Sequence, residues 1–184
     1  MNIKKIVTIL NYLSTKIPYL TKLKVAKLLY FLDKEHFIRY GRFVTNDYYV
    51  KLKYGPVPTR ILNIINNPNI SLMHKSILNF LSSNISFGNE PNRTVKSRKS
   101  PDLDELSKSE IEVLDYIIEK YGRKHIGELI NFCHKEFAWK NTQENEFFSV
   151  EDIIHNLKED RKQELLKVYE DYKTENKELR IIYF

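Results

Sequence analysis

Residues 25–32 read VAKLLYFL, and only Lys27 in that run carries a charge. The run lies within TKLKVAKLLYFLDKEHFIRY, residues 21–40. Thr21 is placed to cap a helix there, and Gly41 to end it. A helix that is apolar on nearly every side has no face to spare for solvent, so it predicts the centre of a helical assembly. The chain's 184 residues are enough to surround such a helix with one domain, or with one domain and an extension.

The neighbouring segments supply the surrounding layer. Ile3, Ile6, Val7, Leu10 and Leu13 recur at helical spacing and give a first amphipathic helix. The same stretch is basic and then apolar, as a secretory leader is. Asn11 and Tyr12 interrupt its apolar run and no small-residue cleavage site follows, so it reads as a helix of the fold. After Gly41 the chain runs RFVTNDYYVKLKYGPVP. Tyr48, Val50, Leu52 and Tyr54 alternate with Tyr49, Lys51 and Lys53, which fits a short strand; a helical turn capped by Thr45 is the alternative. Gly55 permits a positive φ, and Pro56 and Pro58 disfavour helix at the residues before them. The stretch Gly55–Pro56–Val57–Pro58 therefore reads as a turn, with a new helix, TRILNIINN, beginning after it. A further short helix is predicted in NPNISLMHKSILNFL.

Residues 85–97, ISFGNEPNRTVKS, read as a small hairpin around GNEPN, followed by a polar connector, SRKSPDLDE. Ser107 and Glu110 form a capping box, with Leu106 and Ile111 as its hydrophobic staple. Ile111, Leu114, Ile117, Ile118 and Tyr121 make the apolar face of that helix, which Gly122 ends. Ile126, Leu129, Ile130, Cys133 and Phe137 share a face of the next. Ser149 caps a helix holding Ile153, Ile154 and Leu157. Leu165, Leu166, Tyr169 and Tyr172 mark a last helix, and LRIIYF is suited to a final strand. The fold class predicted is mostly α: a helical domain with a central buried helix and a small β-hairpin.

Chemistry is harder to find. Among the five glycines none stands in a phosphate-binding arrangement, and serine-hydrolase signatures are missing. Cys133, the one cysteine, lies on an apolar stripe and reads as a buried structural thiol. It has no partner for an internal disulfide, which suits a reducing, cytoplasmic setting. Asp33 and His36 are spaced to share a metal, but a zinc site needs three or four ligands and no second cluster supplies them. They read as a solvated pair, as do His125 with Glu128 and His134 with Glu136. Trp139 reads as a packing anchor. Catalytic residues, metal and cofactor are thus all expected to be lacking, and no apolar run approaches membrane-spanning length.

Charge is uneven. Residues 1–100 hold 17 Lys+Arg against 4 Asp+Glu, and residues 101–184 hold 13 against 20. Either the halves neutralise each other across one fold, or the basic half faces nucleic acid or an acidic protein. RTVKSRK, residues 93–99, suits phosphate contact. The aromatic pattern of an RNA-binding sheet and the spacing of zinc fingers are both lacking, so nucleic acid is not the expected partner.

The ordered string KLLYFLDKEHFIRYGR, Thr45 and YVKLKYGPVP resembles the SocA-like antitoxin family, also called the Panacea domain. The matching positions are Lys27, Leu28, Leu29, Tyr30, Phe31, Tyr40, Gly41, Thr45, Tyr48, Tyr54, Gly55, Pro56 and Val57. LSKSEIEVLDYIIEKYG followed by HKEFAW, with His134 and Trp139, resembles that family's closing segment. The resemblance is strongest over 20–140. It implies a domain over residues 1–140, with 141–184 as a helical extension packed on it. It also implies a prophage-associated antitoxin, not an enzyme, that binds and neutralises a cognate protein toxin, in some members as an adaptor to a protease. The runner-up is a DNA-binding regulator of its own operon. The residues expected to touch the partner are Tyr48, Lys51, Lys53, Tyr54 and Arg60.

Overall fold

The computed structural model describes residues 2–67, 75–89 and 93–176. Helix α2, Lys22–Tyr40, runs through the middle of the molecule. Val25, Leu28, Leu29, Tyr30, Phe31 and Leu32 on it are all buried. Thr21 accepts a hydrogen bond from the Lys24 N–H at its start, and Gly41 ends it at φ 66°. A side chain at Gly41 would also collide with Val168, 2.7 Å from where a Cβ would stand.

The other elements pack around α2 as the apolar spacing requires. Helix α1, Ile3–Lys16, lies against hairpin β3–β4, formed by Ile85–Phe87 and Val95–Ser97 in antiparallel register. Its tip, 90–92, lies outside the described residues. Helix α4 spans Lys75–Asn84; the start of the predicted segment, 68–74, also lies outside them. Helix α5, Lys108–Tyr121, carries the predicted capping box and packs on α2. The predicted single helix after it is two, α6 over Ile126–Lys135 and α7 over Phe137–Asn141. Glu136 between them is extended and ends α6, so Phe137 opens the second helix instead of extending the first stripe. Helices α8, Val150–Ile153, and α9, Glu159–Glu175, follow. The expected final strand, 179–184, lies outside the described residues.

Two apolar clusters result. The larger surrounds α2 and draws on α1, α3 (Thr59–Asn66), α5 and α6. The smaller joins Phe37 of α2 to Ala138, Ile153, Ile154 and Leu165. Arg161 of α9 donates to the carbonyls of Ile38 and Arg39, which the end of α2 leaves without helical partners. The uneven charge is partly resolved inside the fold: Lys5 pairs with Glu110 at 2.7 Å, Arg39 with Glu112 at 3.1 Å, and Lys34 with Glu136. The described residues are 63% helical, with two small antiparallel sheets. Among them no helix is long and apolar enough to cross a membrane.

The stretch YVKLKYGPVP departs from its expected form. Strand β1, Tyr49–Leu52, is present, but Gly55–Pro58 is itself a strand, β2, paired antiparallel with it. The turn is Lys53–Tyr54. Proline lacks the N–H that an inner strand must donate. β2 pairs on one side only and presses its other side on α2, so both prolines fit it. The alternative helical turn at Thr45 does not form.

Candidate functional site

Three polar side chains on α2 decide where this hairpin sits. Lys27, Tyr30 and Asp33 are spaced three apart, so they share one face of the helix. Asp33 is 1% exposed, contrary to the expectation of a solvated Asp–His pair; His36 is buried as well. The Asp33 carboxylate accepts from the N–H groups of Val44 at 2.7 Å and Thr45 at 2.8 Å, from the Tyr49 hydroxyl at 2.6 Å, and from the Thr45 hydroxyl. Burial pushes its pKa up to about 6, and these four donors oppose that rise.

Lys27 is wholly buried and donates to the Pro56 carbonyl at 2.9 Å. Desolvation lowers its pKa to about 8. Gly55, at φ 97°, leaves room for it: a Cβ there would lie 3.1 Å from the Lys27 ammonium and 3.1 Å from Cys133 Cβ. Cys133 is a buried thiol that desolvation pushes up to about 12. Tyr30 packs edge-on against Tyr49 and Phe148.

Asp47 is a second buried anchor. It accepts from the N–H groups of Tyr48, Arg60 and Ile61, at 2.8, 3.2 and 2.8 Å. Pro58 begins α3 without a capping side chain. Asp47 therefore caps that helix from across the hairpin, where its charge also meets the favourable end of the helix dipole. It holds the Arg60 guanidinium too, at 3.3 Å.

These anchors build an outer face. Residues 145–148 add to β1: the Lys51 N–H donates to Glu146 at 2.9 Å, and the Phe148 N–H to Tyr49 at 2.9 Å. Val50 stands opposite Phe147. Opposed residues share a side of a sheet, so Phe147 joins Tyr48 and Val50 outside while Phe148 turns inward with Tyr49. Tyr48 meets Phe147 edge-on at 5.9 Å, and the Arg60 guanidinium lies 5.1 Å from the Tyr48 ring. Phe147 is 60% exposed and Tyr54, at the turn, 54%.

Of the residues expected at a partner surface, Tyr48, Arg60, Lys53 and Tyr54 reach this side of the molecule. Lys53 is exposed, 5.6 Å from the Tyr54 ring. Lys51 is half-buried: its ammonium donates to the Thr142 carbonyl at 2.7 Å and lies 4.4 Å from the Trp139 ring. Trp139 stacks on His134 at 4.0 Å and donates to the Leu52 carbonyl at 3.4 Å. His125, exposed, caps α6 with Glu128. Sequence reasoning passed over Phe147, Asp47 and the buried role of Asp33. A charge inside an apolar helix is a usable signal for the last of these, because a buried carboxylate must find partners. Phe147 carries no comparable mark in a polar stretch. Among the described residues no group of three or more His, Cys, Asp or Glu is placed to hold a metal ion.

What the fold and this face define is a small helical domain that displays a hairpin fixed from below by buried charge. A family model described as antitoxin SocA-like, Panacea domain, matches residues 25–140. That is more than half of the chain, and the protein belongs to this family. Membership supports a role of the toxin–antitoxin type. The match takes in α2 from Val25 onward, both anchors and Trp139, and stops before Phe147. No curated protein and no solved structure matches the chain.

Proposed function

We propose that this protein is an antitoxin that neutralises a protein toxin by direct contact, and that the toxin docks on the face formed by Tyr48, Val50 and Phe147 with Arg60, Lys53 and Tyr54 around it. The observation that carries the reading is the combination of family membership with an exposed aromatic face on a rigid base. Aromatic residues and arginine dominate the energetics of protein interfaces. A base fixed by Asp33 and Asp47 limits the ordering cost that binding otherwise incurs. Neutralisation on this reading is an act of binding and needs no catalytic group.

The test is co-expression with the product of an adjacent gene that arrests growth. The wild-type chain restores growth. Phe147→Asp restores it poorly while its circular dichroism and melting temperature stay those of the wild type. If toxin abundance falls when the antitoxin is present, and recovers when cellular proteases are inhibited, the protein acts as an adaptor; constant abundance with restored growth indicates plain inhibition. Persistent arrest with both proteins soluble overturns the reading. So does sequence-specific binding to operator DNA at physiological salt with no toxin recovered, because phosphate contacts alone fade steeply as salt rises.

A further inference from the structure

On another side of the molecule, the end of α2 meets the 104–110 segment and α9 around a cleft of about 330 Å³. Its floor is closed by groups that satisfy each other. Lys5 and Glu110 pair at 2.7 Å. The His36 ring donates from Nδ1 to the Arg42 carbonyl at 2.7 Å, which leaves Nε2 to accept from the Ser109 hydroxyl at 3.3 Å. That bond fixes the backbone from which Arg42 projects.

The rim is different. Arg42, Asp104 and Glu105 all line the cleft, and none of the three side chains forms an ion pair among the described residues. The Arg42 guanidinium lies 5.7 Å from the Tyr172 ring. A guanidinium held against a ring keeps its N–H edge available for a two-point grip on a carboxylate. Phe43, Leu106 and Tyr172 supply apolar wall.

We propose that this cleft binds a small zwitterion: a free α-amino acid with an apolar or aromatic side chain. The charges select for it. A simple anion meets Asp104 and Glu105, and a simple cation meets Arg42. A ligand carrying both charges a few bonds apart pairs its carboxylate with Arg42 and its ammonium with the two carboxylates. The volume lies at the small end of ligand pockets, which suits a single amino acid. The site shares no residue with the proposed toxin face, so the two readings stand or fall separately.

Isothermal titration of the full-length protein with L-phenylalanine, L-leucine and L-methionine tests this, alongside N-acetyl-L-phenylalanine and L-phenylalaninamide. At least one free amino acid is expected to bind with a millimolar dissociation constant or better. Blocking either charged end should weaken binding by about tenfold or more, the scale of one lost charged contact. Arg42→Gln should abolish the advantage of the free carboxylate, and Asp104→Asn with Glu105→Gln that of the free amine, with melting temperatures unchanged. No binding by any of the three amino acids overturns the proposal. Equal binding of free and blocked compounds also overturns it, since the cleft would then be no more than an apolar slot.

Discussion

Hairpins β1–β2 and β3–β4 are both two-stranded and antiparallel, and such a hairpin is marginal at best when alone in water. Each depends on what lies beneath it. Under β3–β4 the contacts are apolar and main-chain: Ile85 and Val95 enter the large core, and the Val95 N–H donates to the Leu20 carbonyl at 2.8 Å. Under β1–β2 lie buried ionisable groups, with Lys27 on the Pro56 carbonyl and Asp33 on Tyr49 and Thr45. Apolar contacts are non-directional and forgiving of small shifts. Buried charges demand particular partners, and a lost partner leaves a desolvated group uncompensated. The difference teaches that the first hairpin is fixed in place more strictly than its size requires, as suits a strip that presents a surface.

The sharpest way to break this contrast is Asp33→Ala. It strips acceptors from two backbone N–H groups and two hydroxyls at once. Each buried orphan costs about 1–3 kcal/mol, so a loss of about 4 kcal/mol or more is expected in urea denaturation, enough to unfold many domains. A loss near 1 kcal/mol would mean that the hairpin is held by packing alone. Next in size is a pH effect. The folded pKa of Lys27, about 8, lies below its ordinary 10.5. At this group the unfolded chain therefore binds more protons between those values, and the contribution of Lys27 to stability should rise with pH across that window by roughly 3 kcal/mol, while Cys133, raised from 9.0 to about 12, opposes it above pH 9. Lys27→Met should lack this rise, as comparison of the two melting curves from pH 7 to 10.5 will show.

Gly55→Val follows. The positive φ and the 3.1 Å approaches to Lys27 and Cys133 together should cost roughly 1–3 kcal/mol, read as a lowered melting temperature. An unchanged melt would show that the hairpin can shift to make room. The smallest effect is expected on the other hairpin. Lys96 on β4 is exposed, and Lys96→Ala should alter stability by less than about 0.5 kcal/mol. A larger loss would show that β3–β4 too depends on charge.

Legibility followed distance along the chain. The ends of α2 and α5 were plain, because a cap acts on backbone groups within three residues, as with Thr21 on Lys24 and Ser107 on Glu110. The buried faces were plain because periodicity is local. The strand at Gly55–Pro58 was missed because two prolines argue against a strand unless it lies at an edge, and only the packing of β2 on α2 makes it one. Four of the five residues expected to touch a partner do reach the hairpin side. Lys51 is drawn inward by Trp139 and Thr142, which lie 88 and 91 positions further along the chain.

By itself, the sequence determined that α2 would be central, that its flanking helices would turn one face each toward it, and that family membership would be readable from Lys27 to Trp139. These follow from apolar spacing and cap chemistry, which each segment carries within itself. Tertiary structure alone decided that Asp47 caps a helix beginning twelve residues later, that Phe147 returns to stand beside Tyr48, and that Arg42, Asp104 and Glu105 come to line one cleft. A charge or an exposed ring takes its meaning from its neighbours, and those neighbours are set by where the chain comes back.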